Sequence, residues 1–318
     1  MSQEEQKKEV IGNEKTLISG IILTILGAVL LGLGILHHGD HNLIWHDGGF
    51  KIEDTSIKHA TFKEVHNLKI NADDDVQIKP YAGSQIKVTY RGTNTLDYQA
   101  ANHQLSINDN SRNGFTFNLG LGNFAPSTIT IYVPSTSKLN KLICNTSGTV
   151  SITDLNFNQI HLSSNEDVDL HKVNVKDELQ VSGYSDLELR QVSAASLAYD
   201  SSDGDVTIND SKFIKGSSKI LTSDGDLELN DSDFKQLKLV SDDGDLNLNR
   251  LSISESLTGR TSDGDIHTTL KDSRNLAINA DSDDGHVKIF GKNTNYYHQG
   301  SQKTHYSFTS SDGNIIVR

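Results

Sequence analysis

Across 318 residues the sequence has one cysteine, three prolines, one tryptophan, one methionine and only 6% aromatics. Cys144 alone excludes an intrachain disulfide and a zinc site built from several cysteines, though it says little about compartment. So little proline excludes a proline-rich linker protein, and 25 glycines are far too few for collagen. Basic charge is also short. Against 42 Asp and Glu stand 29 Lys and Arg, a formal net charge of −13, which opposes binding to nucleic acid or to anionic lipid through a basic patch. At 35% hydrophobic residues the chain is not a polytopic membrane protein, yet it is long enough for one large or two ordinary domains with a real core.

One long apolar run is present. Residues 16–36, TLISGIILTILGAVLLGLGIL, hold no charge over twenty-one positions, about the ~20 that a helix needs to cross a ~30 Å hydrocarbon layer. The run predicts a single transmembrane helix. Lys7, Lys8 and Lys15 precede it and no Lys or Arg follows before Lys51. The positive-inside rule then puts the tail, residues 1–15, in the cytoplasm and everything after the helix outside the cell membrane. A cleaved signal peptide is the rival reading, but its apolar region runs only about 7–15 residues and ends small-x-small, which GILHHG lacks. Residues 37–61 read as a polar stalk. In it His37, His38, His41 and His46 are residue types that suit zinc or copper, with a plain flexible stalk as the competing reading.

The rest of the chain repeats. SDGDVTI, SDGDLEL, DDGDLNL, SDGDIHT, DDGHVKI and SDGNIIV centre on Gly204, Gly225, Gly244, Gly264, Gly285 and Gly313, at steps of 21, 19, 20, 21 and 28. Weaker copies lie upstream around Gly148, Glu166 and Ser185, and an earlier one, DDDVQI, around Asp74, for ten units in all. Apolar residues stand two and four positions after each centre, as in Val206 and Ile208 or Leu227 and Leu229, and a second pair precedes it, as in Leu237 and Leu239. Such alternation marks strands with one buried face. Phe213, Phe234, Leu251 and Ile253 supply a third apolar patch. One unit cannot bury its own apolar face, but stacked units can. The pattern therefore predicts an all-β domain over 62–318, a parallel β-helix of about ten turns with a period of about 20, with regular repeats over 142–318. At ~4.8 Å per turn it would run roughly 45–50 Å. Cys144 falls in an inward column and reads as a small buried hydrophobe. In the last six units the preceding pair sits one residue further from the glycine, as Leu197 and Tyr199 show before Gly204, so those corners hold an extra residue. Residues 81–141 break the pitch but still alternate, an irregular strand-rich excursion that widens or caps the first end. The glycine-rich NLGLGN at Asn118 follows no strand-to-helix unit and does not match a phosphate loop.

An apolar anchor, the FKEVHNLKI opening at Phe62, the DVQI first turn and serial S-D-G-D-h-x-h repeats resemble a bacterial β-strand-repeat family of unknown function. That family is labelled as candidate adhesins and includes LiaG-like envelope proteins. The resemblance covers about residues 60–318 and is specific for architecture. It implies a surface location with a role in adhesion or in envelope-stress responses, and it offers no catalytic residues.

The corners stack Asp203, Asp224, Asp243, Asp263, Asp284 and Asp312 in one column and Asp205, Asp226, Asp245 and Asp265 in another. Like charges ~4.8 Å apart repel by roughly 1 kcal/mol even in water. Hydrogen bonds from backbone N–H groups to Asp and Ser offset this in one reading. Shared calcium does so in the other, although the calcium-binding β-roll uses a nine-residue repeat rather than twenty. Weak or no specific calcium binding is expected, and no other cofactor. The late insertion, KNTNYYHQGSQKTHYSF, gathers Tyr296, Tyr297, His298, His305 and Tyr306. It reads either as a partner-binding loop or as a cover for the end of the stack. An uncovered NIIV strand would leave backbone groups open to edge pairing at Ile315 and Ile316. Short loops and no gathering of Lys or Arg beside the Asp columns argue against an enzyme. The function expected is a non-catalytic, membrane-anchored surface protein that binds a partner, an envelope membrane protein or a surface glycan, or serves as an envelope-stress scaffold. An adhesin contacting polysaccharide or a host surface is the alternative, and a β-helix polysaccharide-degrading enzyme a more distant one.

Overall fold

A computed structural model describes residues 19–29, 43–46, 49–52, 56–91, 96–109, 128–184 and 186–318. The chain divides into two compact units, one of residues 1–55 and 113–125, the other of residues 56–112 and 126–318. Within the first unit the description covers a helix over 19–29 and an antiparallel pair, Leu43–His46 with Gly49–Ile52.

Among the described residues the expected transmembrane helix over 16–36 is not found. Eleven helical residues span about 16 Å, roughly half of a hydrocarbon layer. Among the described residues no helix is long and apolar enough to cross a membrane. Positions 16–18 and 30–36 of that run lie outside the described residues.

The second unit is all-β and coils in a solenoid-like way. Strands that follow a motif centre pair in parallel into one sheet, for example Val206–Asn209 with Leu227–Asn230 and Leu227–Asn230 with Leu246–Arg260. Strands that precede a centre form the other sheet, as Lys212–Leu221 pairs with Asp233–Val240. Register is exact from coil to coil: Val150, Val168, Leu187, Val206, Leu227 and Leu246 pair in one row, all at most 2% exposed. Each such side chain gains roughly 1.5–3 kcal/mol from burial, and a one-residue slip would turn the whole row to water. Phe213 stacks on Phe234 at 5.1 Å between ring centres and fills the third side. Cys144 is fully buried, and burial pushes its thiol up to about 12.

A second corner follows the inward pairs from Val150 and Ile152 to Leu246 and Leu248. Asp154, Lys172, Gln191, Asp210, Asp231 and Arg250 occupy it with φ between 48° and 56°, a left-handed conformation reached here without glycine.

The sheet is mixed rather than purely parallel, which corrects the expected parallel β-helix. Ile86–Arg91 lies antiparallel between Ile57–Phe62 and Thr128–Pro134. Leu96–Ala101 is antiparallel to Gln104–Asp109, and Tyr296–Gln299 to Leu276–Ser282. A motif spaced by twenty residues reports only the corners. Period-two alternation is the same in either pairing sense, so hairpins leave no mark on it.

Chain order and spatial order also part at both ends. Asp75–Tyr81 is not the outermost rung, because Thr128–Pro134 pairs beyond it. At the other end Ile315–Val317 sits between Ile266–Leu270 and Val287–Ile289, while Thr304–Ser310 sits between Leu246–Arg260 and Leu276–Ser282. The sequence-last coil is thus intercalated. The NIIV strand is flanked on both sides and is not the open edge expected of it. The 28-residue step makes this possible, since the chain overshoots by one coil, reverses, and returns into the gap.

Candidate functional site

Hydrogen bonds within the chain occupy the motif corners. Three residues before each of the six motif glycines stands a Ser or Thr whose hydroxyl accepts the N–H of its own glycine, and from Thr222 onward it also donates to the glycine carbonyl of the neighbouring coil. Thr222 accepts from Gly225 at 3.2 Å and donates to Gly204 at 3.2 Å. Ser241 does the same at 3.0 and 3.1 Å, and Thr261 at 3.1 and 3.0 Å. Ser310 donates to Gly264, and Ser282 to Gly313, which follows the spatial order and not the chain order. A hydroxyl is the smallest group that both gives and takes a hydrogen bond. This column was not singled out from the sequence, although Ser or Thr three places before each glycine is its signature.

The second Asp column forms a parallel ladder. Asp205 N–H donates to Asp186 Oδ1 at 2.9 Å, Asp226 to Asp205 at 2.8 Å, and Asp245 to Asp226 and Asp265 to Asp245 at 2.7 Å each. Asn314 and His286 continue it. The first column, Asp203, Asp224, Asp243, Asp263, Asp284 and Asp312, is exposed. Among the described residues no three or more His, Cys, Asp or Glu side chains gather to hold a metal ion. His37, His38 and His41 lie outside the described residues, and His46 ends the strand Leu43–His46.

Glycine is required at these corners by close approach. A Cβ on Gly225, Gly244 or Gly264 would lie 2.0–2.2 Å from the carbonyl oxygen of the glycine one coil back.

The late insertion is where regular packing stops. Four of its five singled-out residues fall by strand register into two rows, and Tyr296 aligns with Asn279 and Ser307 in a third. Tyr297, Ile278 and Tyr306 align across three strands, as do His298, Ala277 and His305. Tyr306 is 5% exposed, and burial pushes its hydroxyl up to about 12; it belongs to the core. Tyr297 is half-buried, edge-on to Phe290 at 4.7 Å. Tyr296 is 48% exposed and packs beside exposed His298 at 5.3 Å, and His305 is exposed as well. Tyr296, His298 and His305 are the members of the set available to a partner.

Along Val287–Ile289, and reaching Asn295 next to Tyr296 in the chain, lies a cleft of about 610 Å³ lined by Ser282, Gly285, His286, Val287, Lys288, Asn293, Asn295, Asn314 and Ile316. Of these only Gly285, as a motif centre, and Ile316, as an edge-strand residue, stand out in the sequence; the cleft itself arises from where segment 293–295 runs and not from a motif. Its volume suits a small ligand or a peptide segment.

Stacked corners, short turns and a decorated terminal coil define a β-strand-repeat protein of the solenoid-like class. Residues 65–318 match the Toastrack DUF4097 family, and the chain belongs to it. No curated protein matches the chain. Among solved structures, a candidate adhesin from Bacteroides fragilis is 13% identical, with 83% of this chain and 96% of that chain covered and a TM-score of 0.40. A candidate lipid-binding protein from Parabacteroides distasonis is 13% identical over the same shares, with a TM-score of 0.49. A candidate adhesin from Parabacteroides merdae is 13% identical, over 83% and 95%, with a TM-score of 0.38. Likenesses this distant say nothing of ligand.

Proposed function

We propose that this chain is a non-catalytic binding protein of the bacterial cell surface, contacting its partner through the end of the coil that bears Tyr296, His298 and His305. One observation carries the reading. The middle corners use their polar groups on one another, whereas this end leaves aromatic and imidazole side chains exposed beside an open cleft, and decorated ends of regular scaffolds are where binding tends to sit. The partner is an envelope protein in the first reading and a surface polysaccharide in the second. No resident cofactor is part of this proposal, so micromolar calcium is expected to leave the melting temperature unchanged.

A photoreactive residue at Tyr296, used in intact native cells, tests it. A specific crosslinked product is expected, absent from a control with the same group at Glu228 in mid-stack. Recovery of a protein supports the first reading and of wall polymer the second. No product above the control refutes both. Release of unsaturated products from uronic-acid polymers, read by absorbance, would replace binding with catalysis.

A further inference from the structure

Four terminal rungs bound the two sheets of the coil, and three carry an antiparallel strand: Thr128–Pro134, Gln104–Asp109 and Leu276–Ser282. The fourth is Val287–Ile289, whose one strand neighbour among the described residues is Ile315–Val317. Here the chain begins the same cap and abandons it. Ile289 and Lys292 exchange backbone hydrogen bonds of 2.9 and 3.0 Å around a two-residue turn, with Phe290 and Gly291 both left-handed at φ 49° and 77°. That is the hairpin turn whose twist suits paired strands. The chain then crosses to the other sheet, where the Asn295 carbonyl accepts from Ala280 N–H. The cleft reaches from the departing segment across the bare strand to Asn314 and Ile316 beside its neighbour.

The strand's polarity is readable. Ile315 N–H donates to His286 C=O and Phe290 N–H to Val317 C=O, while Ile289 N–H turns away to Lys292. By alternation the Val287 N–H also faces away from its neighbour, toward the cleft. Asn293 and Asn295 line the same cleft, each amide both donor and acceptor, and the Asn295 amide donates to Asp281 Oδ1 at 3.4 Å. The lining holds Lys288 and His286 but no Asp or Glu, in a chain of net charge −13. A second copy fits poorly, because antiparallel self-pairing about Lys288 would set two lysines opposite each other.

We infer that Val287–Ile289 is a docking edge for an extended, acidic peptide segment of a partner protein, which adds antiparallel as the missing fourth cap. This rests on the binding reading above and names the partner's chemistry. Strand addition supplies backbone hydrogen bonds, and the side chains along the cleft supply selectivity.

The test uses the full chain and a fluorescein-labelled octapeptide of alternating valine and glutamate, read by polarisation and by amide exchange over residues 286–290. Saturable binding that slows exchange there is expected. Val287→Pro removes the outward donor and should weaken binding at least tenfold. Lys288→Glu, on an exposed side chain that leaves the fold intact, should weaken it about tenfold, and the valine–lysine octapeptide should not bind. The inference is overturned if the acidic peptide does not bind, if both variants bind it as wild type does, if the lysine peptide binds equally, or if the free chain dimerises through this edge. Tyr296 crosslinks that persist in Val287→Pro would sink the edge and leave the binding reading standing. Absence of those crosslinks in the unaltered chain would sink the reading itself.

Discussion

Between Val150 and Ile266 each coil repeats its neighbour, and chain order is spatial order; between Lys271 and Arg318 the same coils appear with the order broken. The two regions share their chemistry. Ser282 bonds to Gly313 as Ser241 does to Gly225, and His286 to Asn314 as Asp245 to Asp226. The difference teaches that the corner ladder specifies how any coil stacks on any other, without specifying which one comes next. Identity of neighbours is left to the connections, and the long step before Gly313 supplies a different one.

The comparison can be broken hardest in the middle. Gly244→Ala would place a methyl 2.1 Å from the Gly225 carbonyl oxygen with backbone on both sides, and a loss of at least ~3 kcal/mol is expected in denaturant unfolding. Gly291→Ala at the end meets open space and is strained only by its φ of 77°, so ~1 kcal/mol is expected. Equal losses would contradict the account of the corners. Next in size, Thr222→Val keeps the shape but leaves a buried glycine N–H and a carbonyl without their hydroxyl, for roughly 1–3 kcal/mol. Thermal melting beside Thr222→Ser, expected near wild type, separates the hydrogen bonds from packing. Tyr297→Ala gives up the contact with Phe290 and should lower stability by about 1–2 kcal/mol. Tyr296→Ala should stay within ~0.5 kcal/mol while abolishing crosslinks made from a photoreactive residue at the neighbouring His298.

The smallest effect is a pH dependence at the second corner. The Arg250 guanidinium hydrogen-bonds Asp231 one coil back and holds its carboxyl below the ordinary value of 3.8. A carboxyl lowered by folding adds stability that is present above its ordinary range and lost as pH falls through the folded value. Both side chains are exposed, so screening keeps the contribution minor. Arg250→Ala should leave melting at neutral pH nearly unchanged and make the fall in melting temperature below pH 4 slightly shallower; an unchanged acid limb would remove the pair from the account.

Much of the coil was legible because its constraints are local. Gly225 and Gly244 announce corners, and Leu227 with Leu229 or Leu246 with Leu248 announce inward faces, since only that spacing buries them. The antiparallel strands were not legible. QLSIN and STITIYVP alternate alike for either partner, and although Asn102 and His103 are of types that tolerate the left-handed pair turning the hairpin between Ala101 and Gln104, the Asn-His pair lacks the glycine that usually marks such a turn. The left-handed corner was only partly marked: Asp154, Asp210 and Asp231 are of a type that tolerates it, but Lys172, Gln191 and Arg250 hold the same place without that preference. At the candidate site the insertion itself was visible, but which tyrosines it shows was not. That depends on register against Leu276–Ser282, which turns Tyr306 inward and leaves Tyr296 out. Cleft residues such as Val287 and Asn293 sit in ordinary strand and loop sequence and became a site only through the path between them.

The intercalated coil has a consequence for synthesis. A ribosome delivers residues 246–270 first, then 276–290, and only later 304–318, so a vectorial assembly would let the 276–290 coil settle directly on its predecessor, using the same hydroxyl and carboxylate ladder. The mature arrangement requires that early pairing to be withheld or undone, and then a coil to be admitted between two others. Trimming an ordinary stack of repeats shortens it by a rung. Removing residues 304–318 here would instead open an apolar gap inside the stack, with Gly259 and Leu257 on one side and Ile278 and Ala280 on the other facing where Phe308 and Tyr306 had been.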